Sequence, residues 1–121
     1  MDIERQISRL ALELVSSQKG AGSMEYRSFC EGLPALLRTA GLAQTSAFLL
    51  DFKAGSAQRN LYTHLEDHFR ALNFIAADDS LLDVVASRDT ATAQYRFYSR
   101  MALRVAQWHK RIAQALLEKD K

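Results

Sequence analysis

The sequence predicts an all-α protein: a compact single-domain helical bundle over residues 1–121, with about five to six helices and a long C-terminal helix. Three observations predict it. Apolar residues recur at three- and four-residue spacing along most of the chain, and no alternating stretch of useful length interrupts them. One proline and five glycines in 121 residues are too few for the turns of an all-β fold or for a low-complexity chain. An apolar content of 48% beside 25% charged residues is that of a globular chain able to bury one core.

The first helix is expected from about Asp2 to Gln18, with Ile3, Ile7, Leu10 and Leu14 as its apolar stripe and Asp2 as its N-cap. Lys19-Gly20 suits its end, and Gly20-Ala21-Gly22-Ser23 is a linker of helix–helix length. A second helix begins after Ser23 and carries Tyr26, Phe29, Cys30, Leu33, Leu36 and Leu37. Pro34 predicts a kink there, or a stop near Glu31–Gly32 and a restart with Pro34 in the first turn. Gly41 reads as a left-handed cap. Leu42 to about Phe52 follows as a short helix with Phe48 and Leu49 as core candidates. After a polar loop, Lys53–Gln58, a helix runs from Arg59 to about Asn73 on Leu61, Leu65, Phe69 and Leu72. Asp78-Asp79-Ser80 opens a short turn carrying Leu81, Leu82, Val84 and Val85, and the last helix spans about Thr90 to Lys119.

That last helix has two faces. Tyr98, Met101, Val105, Trp108, Ile112 and Leu116 fall within a sector of ~80°, the core side. Arg96, Arg100, Arg104, Gln107 and Arg111 fall within an opposite sector, with Lys110 flanking and Leu103 at its edge. The rise from Arg96 to Arg111 is about 22 Å. Acidic partners at helical spacing are nearly absent, because only Asp89, Glu118 and Asp120 lie near. The net charge of +2 hides this asymmetry: residues 1–83 carry eight basic and eleven acidic side chains, residues 84–121 eight and three. Arginine forks suit phosphates, so a polyanion is expected on this third. A solvated basic face and an acidic protein surface remain open alternatives.

No catalytic constellation stands out, so no enzyme is expected, and no cofactor or metal. His64 and His68 are four apart, a metal-ligand spacing, but lack the His-Glu-x-x-His pattern and read as surface histidines beside an apolar stripe. Asp78, Asp79 and Asp83 read as capping rather than cation binding. Cys30, the one cysteine, cannot form an internal disulfide and reads as a small buried apolar residue of a reducing compartment. Most aromatic residues read as core; Tyr62, Tyr95 and Tyr98 are open between core and base stacking. With no visible signal peptide and no apolar run near the ~18 residues of a membrane span, a cytoplasmic location without membrane contact is expected.

Two segments resemble a known family. Leu33, Pro34, Arg38, Thr39, Gly41, Leu42, Gln44, Ala47, Phe48 and Leu49 match the Leu-Pro…Arg-Thr-Asn-Gly-Leu-Gly-Gln…Ala-Phe-Leu segment of the small subunit of CRISPR type III-B (Cmr) RNA-targeting effector complexes. Ala40 and Ala43 replace its Asn and second Gly. Tyr95-Arg96, Ser99-Arg100-Met101-Ala102 and Trp108-His109-Lys110-Arg111-Ile112-Ala113 are similar to its closing segment, with Met101 and His109 departing from the family Glu and Leu. The resemblance implies a non-catalytic subunit of an antiviral ribonucleoprotein. Its partners would be the other Cmr subunits, especially the backbone subunit, copies of itself in a head-to-tail filament, and the guide and target RNA. Cleavage would belong to the backbone subunits. Arg96, Arg100, Arg104, Lys110 and Arg111 become the RNA-binding candidates, by charge and shape rather than base reading. Arg38 joins them, unless it caps carbonyls near Gly41. Gln44 and Leu103 are subunit-interface candidates. The rival reading is a helix-turn-helix DNA-binding regulator, with Thr39–Leu50 as turn and recognition helix. Against it, Leu42–Phe52 is too apolar and has no basic or amide-rich face for base edges.

Overall fold

The computed structural model describes residues 2–119 as six α-helices joined by short connections. The acidic Asp120 lies outside the described residues. Helix α1 spans Ile3–Ser16, and its N-cap is Asp2, whose carboxylate accepts the Glu4 amide at 3.1 Å. Its buried stripe is Ile7, Ala11 and Val15, while Ile3 is exposed. The apolar side is thus turned slightly from the expected one, toward the small Ala11.

Helix α2, Ser23–Ala40, runs unbroken through Pro34. The expected stop and restart at Glu31–Gly32 is not seen. Pro34 removes one backbone bond, but Leu33, Pro34 and Leu37 are all buried, and tertiary packing outweighs the local cost. Gly41 adopts φ 86° and ψ 165°. This is not the left-handed cap the sequence predicts but the extended positive-φ region open essentially only to glycine. The reason is that Gly41 must end α2 and start α3 (Leu42–Leu50) at one residue. Tyr95 completes the corner: its hydroxyl accepts the Ala43 amide at 3.1 Å. Gly41→Ala is therefore expected to cost about 1–3 kcal/mol, read as a lower urea midpoint with an unchanged slope.

Within α3, Leu42, Thr45, Ser46 and Leu49 are buried, but Phe48 is 45% exposed. Its expectation as a core residue fails because Thr45 and Ser46 turn inward and carry the inner arc away from it. Helix α4, Ala57–Ala71, starts two residues early on Ser56, whose hydroxyl accepts the Arg59 amide. It ends in a Schellman motif: the Phe74 amide donates to the Phe69 carbonyl at 2.8 Å, with Asn73 at φ 63°. The two phenyl rings meet edge to face at 5.4 Å, the apolar contact that accompanies this cap. Helix α5 is Leu81–Ala86, and Ser80 is its N-cap. Its first free amides are also met by Glu66, on the Leu81 amide at 2.9 Å, and by the Tyr62 hydroxyl, on Leu82 at 3.1 Å.

The last helix, α6, spans Thr92–Leu116 and lies against both α1 and α2, while α4 packs on α2 and α3. Tyr26, Leu33, Leu61, Leu65, Phe69 and Val105 form the centre of the core. Cys30 is buried in it, and burial pushes its thiol up to about 12, so it packs as an apolar group. Tyr62 and Tyr98 are buried and offer no free ring for stacking, while Tyr95 is half-buried with its hydroxyl held at the Gly41 corner.

The histidines depart most from expectation. His64 and His68 are not on the surface but only 7% and 1% exposed, and His109 joins them at 1%. The Tyr26 hydroxyl bonds His64 Nδ1 at 2.6 Å and His109 Nδ1 at 3.0 Å, and His109 Nε2 meets His68 Nε2 at 2.8 Å. A four-residue spacing reveals a shared helix face. It does not reveal that α2 and α6 cover that face and bring a tyrosine and a third imidazole to satisfy it.

Candidate nucleic-acid interface

Helix α6 fixes the candidate side chains by burying its other side. Tyr98, Met101, Ala102, Val105, Ala106, His109 and Ala113 are buried. Of the expected core positions, Trp108 and Ile112 are half-buried and Leu116 is 37% exposed. The inner arc is rotated toward the alanines, where a neighbouring helix backbone can come close. Opposite this arc, Arg96, Arg100, Gln107 and Arg111 are exposed. None of the three arginines has an ion-pair or side-chain hydrogen-bond partner among the described residues.

Arg104 is different. The rotation brings it to α1, where it forms an ion pair with Glu4, its Nε donating to Glu4 Oε1 at 2.6 Å. The Trp108 indole donates to the other carboxylate oxygen at 2.7 Å. These two hydrogen bonds, Trp108 first and Arg104 second, hold the Glu4 carboxyl below its usual range. The basic row is therefore continuous in sequence and interrupted at its middle in charge. The interruption escapes sequence reading because Glu4 looks like an ordinary first-turn acid. The available signal is its position three residues before Ile7, on the side of α1 that faces the core. Both partners are over 40% exposed. Glu4→Gln is accordingly expected to lower stability by less than about 1 kcal/mol, measured by urea unfolding.

The structure also brings residues together that are far apart in sequence. Arg38 of α2 and Arg104, Lys110 and Arg111 of α6 line one open groove of about 970 Å³. Pro34, Ala35 and Trp108 supply its apolar lining, and Glu4, Glu31, Gln107 and Gln114 its remaining polar groups. Arg38 is exposed and bonds no carbonyl near Gly41 among the described residues, so the capping role is not seen. Glu31 is engaged by Gln114 at 3.0 Å and by Arg27. Arg96 and Arg100 lie outside the groove, farther toward the start of α6. Gln44 is exposed on α3, and Leu103 is half-buried on α6 outside the groove.

Chemically, such a surface can bind anions through guanidinium forks and an ammonium group. Among the described residues, no group of His, Cys, Asp and Glu is placed to hold a metal ion. No described helix is long and apolar enough to cross a membrane.

A family model described as CRISPR-associated protein (Cas_Cmr5) matches residues 3–116. The CRISPR system Cmr subunit Cmr5 of Thermus thermophilus is 37% identical over 102 residues, 83% of this chain and 82% of that one. The crystal structure of a CRISPR-associated Cmr5 family protein, also from Thermus thermophilus, superposes with a TM-score of 0.82 at 32% identity, covering 98% of this chain and 100% of that one.

Proposed function

The chain belongs to the Cmr5 family of CRISPR-associated proteins, and from that premise we propose that it is the small, non-catalytic subunit of a Cmr effector complex that binds RNA through α6. The membership leaves the helix-turn-helix regulator without support. The observation that carries RNA binding is the row Arg96, Arg100 and Arg111, exposed and without acidic partners among the described residues, with Arg38 and Lys110 beside its end. A rigid helix holding like charges along one line favours a polyanion, because phosphates relieve the repulsion and release counterions. Sequence is then read by guide–target pairing, and this subunit holds the duplex by charge and shape. Copies of the chain stack head to tail against the backbone subunit, with Gln44 and Leu103 among the residues at those interfaces. More than one copy per complex is expected by native mass spectrometry, and a single copy would contradict the stacking.

Two single variants test the interruption at Arg104. In the assembled complex, Arg100→Glu is expected to weaken target-RNA binding on the order of tenfold and to lower the log–log salt slope by about one. Arg104→Glu is expected to lower the slope less, because Glu4 already occupies that guanidinium's donors and no phosphate contact is given up. Equal losses of slope would show that Arg104 leaves Glu4 for phosphate.

A further inference from the structure

Resting on that reading of the basic face, we propose that the groove between Trp108, Pro34, Arg38, Lys110 and Arg111 seats one unstacked nucleotide of single-stranded RNA. Its base lies against the Trp108 ring and its phosphate is held by the three cations. Trp108 packs on the core from one side and lines the groove from the other. The indole's single polar atom is taken by Glu4 at 2.7 Å. The ring is therefore fixed, and only carbon is offered to an occupant. Pro34 and Ala35 beside it are too small to fill the space. Arg38, Lys110 and Arg111 have no side-chain partner among the described residues, so their donors are open to phosphate. The unengaged Gln107 amide can meet a base edge.

An apolar ring and unpaired cations lining one groove match an unstacked base and its phosphate, because every base has a π-face. A stacked duplex would offer the groove phosphates and ribose but no exposed face. An acidic peptide would use the cations and leave the ring without a partner.

Trp108 is the only tryptophan, so tryptophan fluorescence reports on this one ring at the groove wall. The full chain is titrated at low salt with a six-nucleotide single-stranded RNA, a blunt RNA duplex, inorganic phosphate and oligoglutamate. Saturable quenching is expected from the single-stranded RNA and little from the other three. Lys110→Glu with Arg111→Glu should weaken the quenching titration about tenfold or more. Lys53→Glu, on the exposed loop before α4 and outside the groove, should leave the titration unchanged. Trp108→Leu, followed by anisotropy of the labelled RNA, should bind about tenfold more weakly. If that variant fails to fold, quenching in the unaltered chain still decides. RNA bound without quenching overturns the nucleotide pocket and leaves the basic face standing. Equal quenching by oligoglutamate or duplex also overturns the pocket. No RNA binding at low salt overturns both.

Discussion

Reversing Arg96, Arg100 and Arg111 to glutamate together is expected to weaken target-RNA binding by the assembled complex on the order of a hundredfold near 0.1 M salt. The slope of log affinity against log salt should fall by about two to three, one for each phosphate no longer engaged. The three guanidinium groups project from the outer side of α6, away from the buried Tyr98, Met101, Val105 and Ala106. Helicity and unfolding midpoint should therefore stay within about 0.5 kcal/mol of the parent. Charge neutralisation to glutamine should give a smaller loss than reversal, because repulsion is then absent. Filter binding at three salt concentrations checks both the loss and the slope.

The second large effect concerns stability, and it originates in the buried Tyr26–His64–His109–His68 chain. Neutral imidazoles can satisfy this chain in either direction. His68 Nε2–H can donate to His109, His109 Nδ1–H to Tyr26, and Tyr26 O–H to His64; or all three bonds can reverse. One added proton still leaves each bond of the chain a donor and an acceptor, so what disfavours a charged imidazole here is its burial away from water. Burial pushes His64 and His68 down to about 4 and holds His109 well below its ordinary value. Nearby imidazoles add to this at His68 and His109. The unfolded chain, titrating near 6.5, therefore takes up more protons than the folded one between pH 6.5 and 4. Stability is complete above pH 6.5 and is lost as pH falls through that window, by about 3 kcal/mol for one such imidazole. The urea midpoint should be flat above neutrality and drop steeply below 6.5. A midpoint constant from pH 7 to 4 would contradict the buried chain.

Substitution separates the polar network from the packing around it. His109→Phe should cost roughly 2–3 kcal/mol at pH 7, because it leaves His68 Nε2 buried without its partner. His68→Leu combined with His109→Phe should recover part of that loss, since both partners are then apolar, and should shallow the acid response. Tyr26 can still donate to His64 in both variants.

The fold was legible because helical periodicity is strong where it matters. Leu61, Leu65 and Phe69 locate α4, and Tyr98, Met101 and Val105 locate α6. Asp2 and Ser80 cap as their chemistry requires. What failed was tertiary. Nothing local to Pro34 says that burial will carry α2 across it. Nothing local to Phe48 says that Thr45 and Ser46 will face inward instead. His64 and His68 look alike whether water or two helices cover them.

The candidate site divides in the same way. The exposed positions of Arg96, Arg100 and Arg111 follow from the wheel of one helix. The Glu4–Arg104 pair joins residues a hundred positions apart, and no helical wheel contains it. Arg38 arrives in the groove through the crossing of α2 and α6. The segment around Pro34 and Gly41, which carries the family resemblance, is chiefly a corner. Gly41 turns the chain, Tyr95 closes the turn, and Arg38 and Pro34 face the groove on its near side.

Ultraviolet crosslinking of the assembled complex to guide and target RNA, followed by peptide mapping, tests the central claim most directly. RNA-bearing peptides of this chain are expected from Arg96–Arg111 of α6 and from the stretch around Arg38. Crosslinks confined to α4, α5 or the outer side of α1, with α6 free, would contradict it.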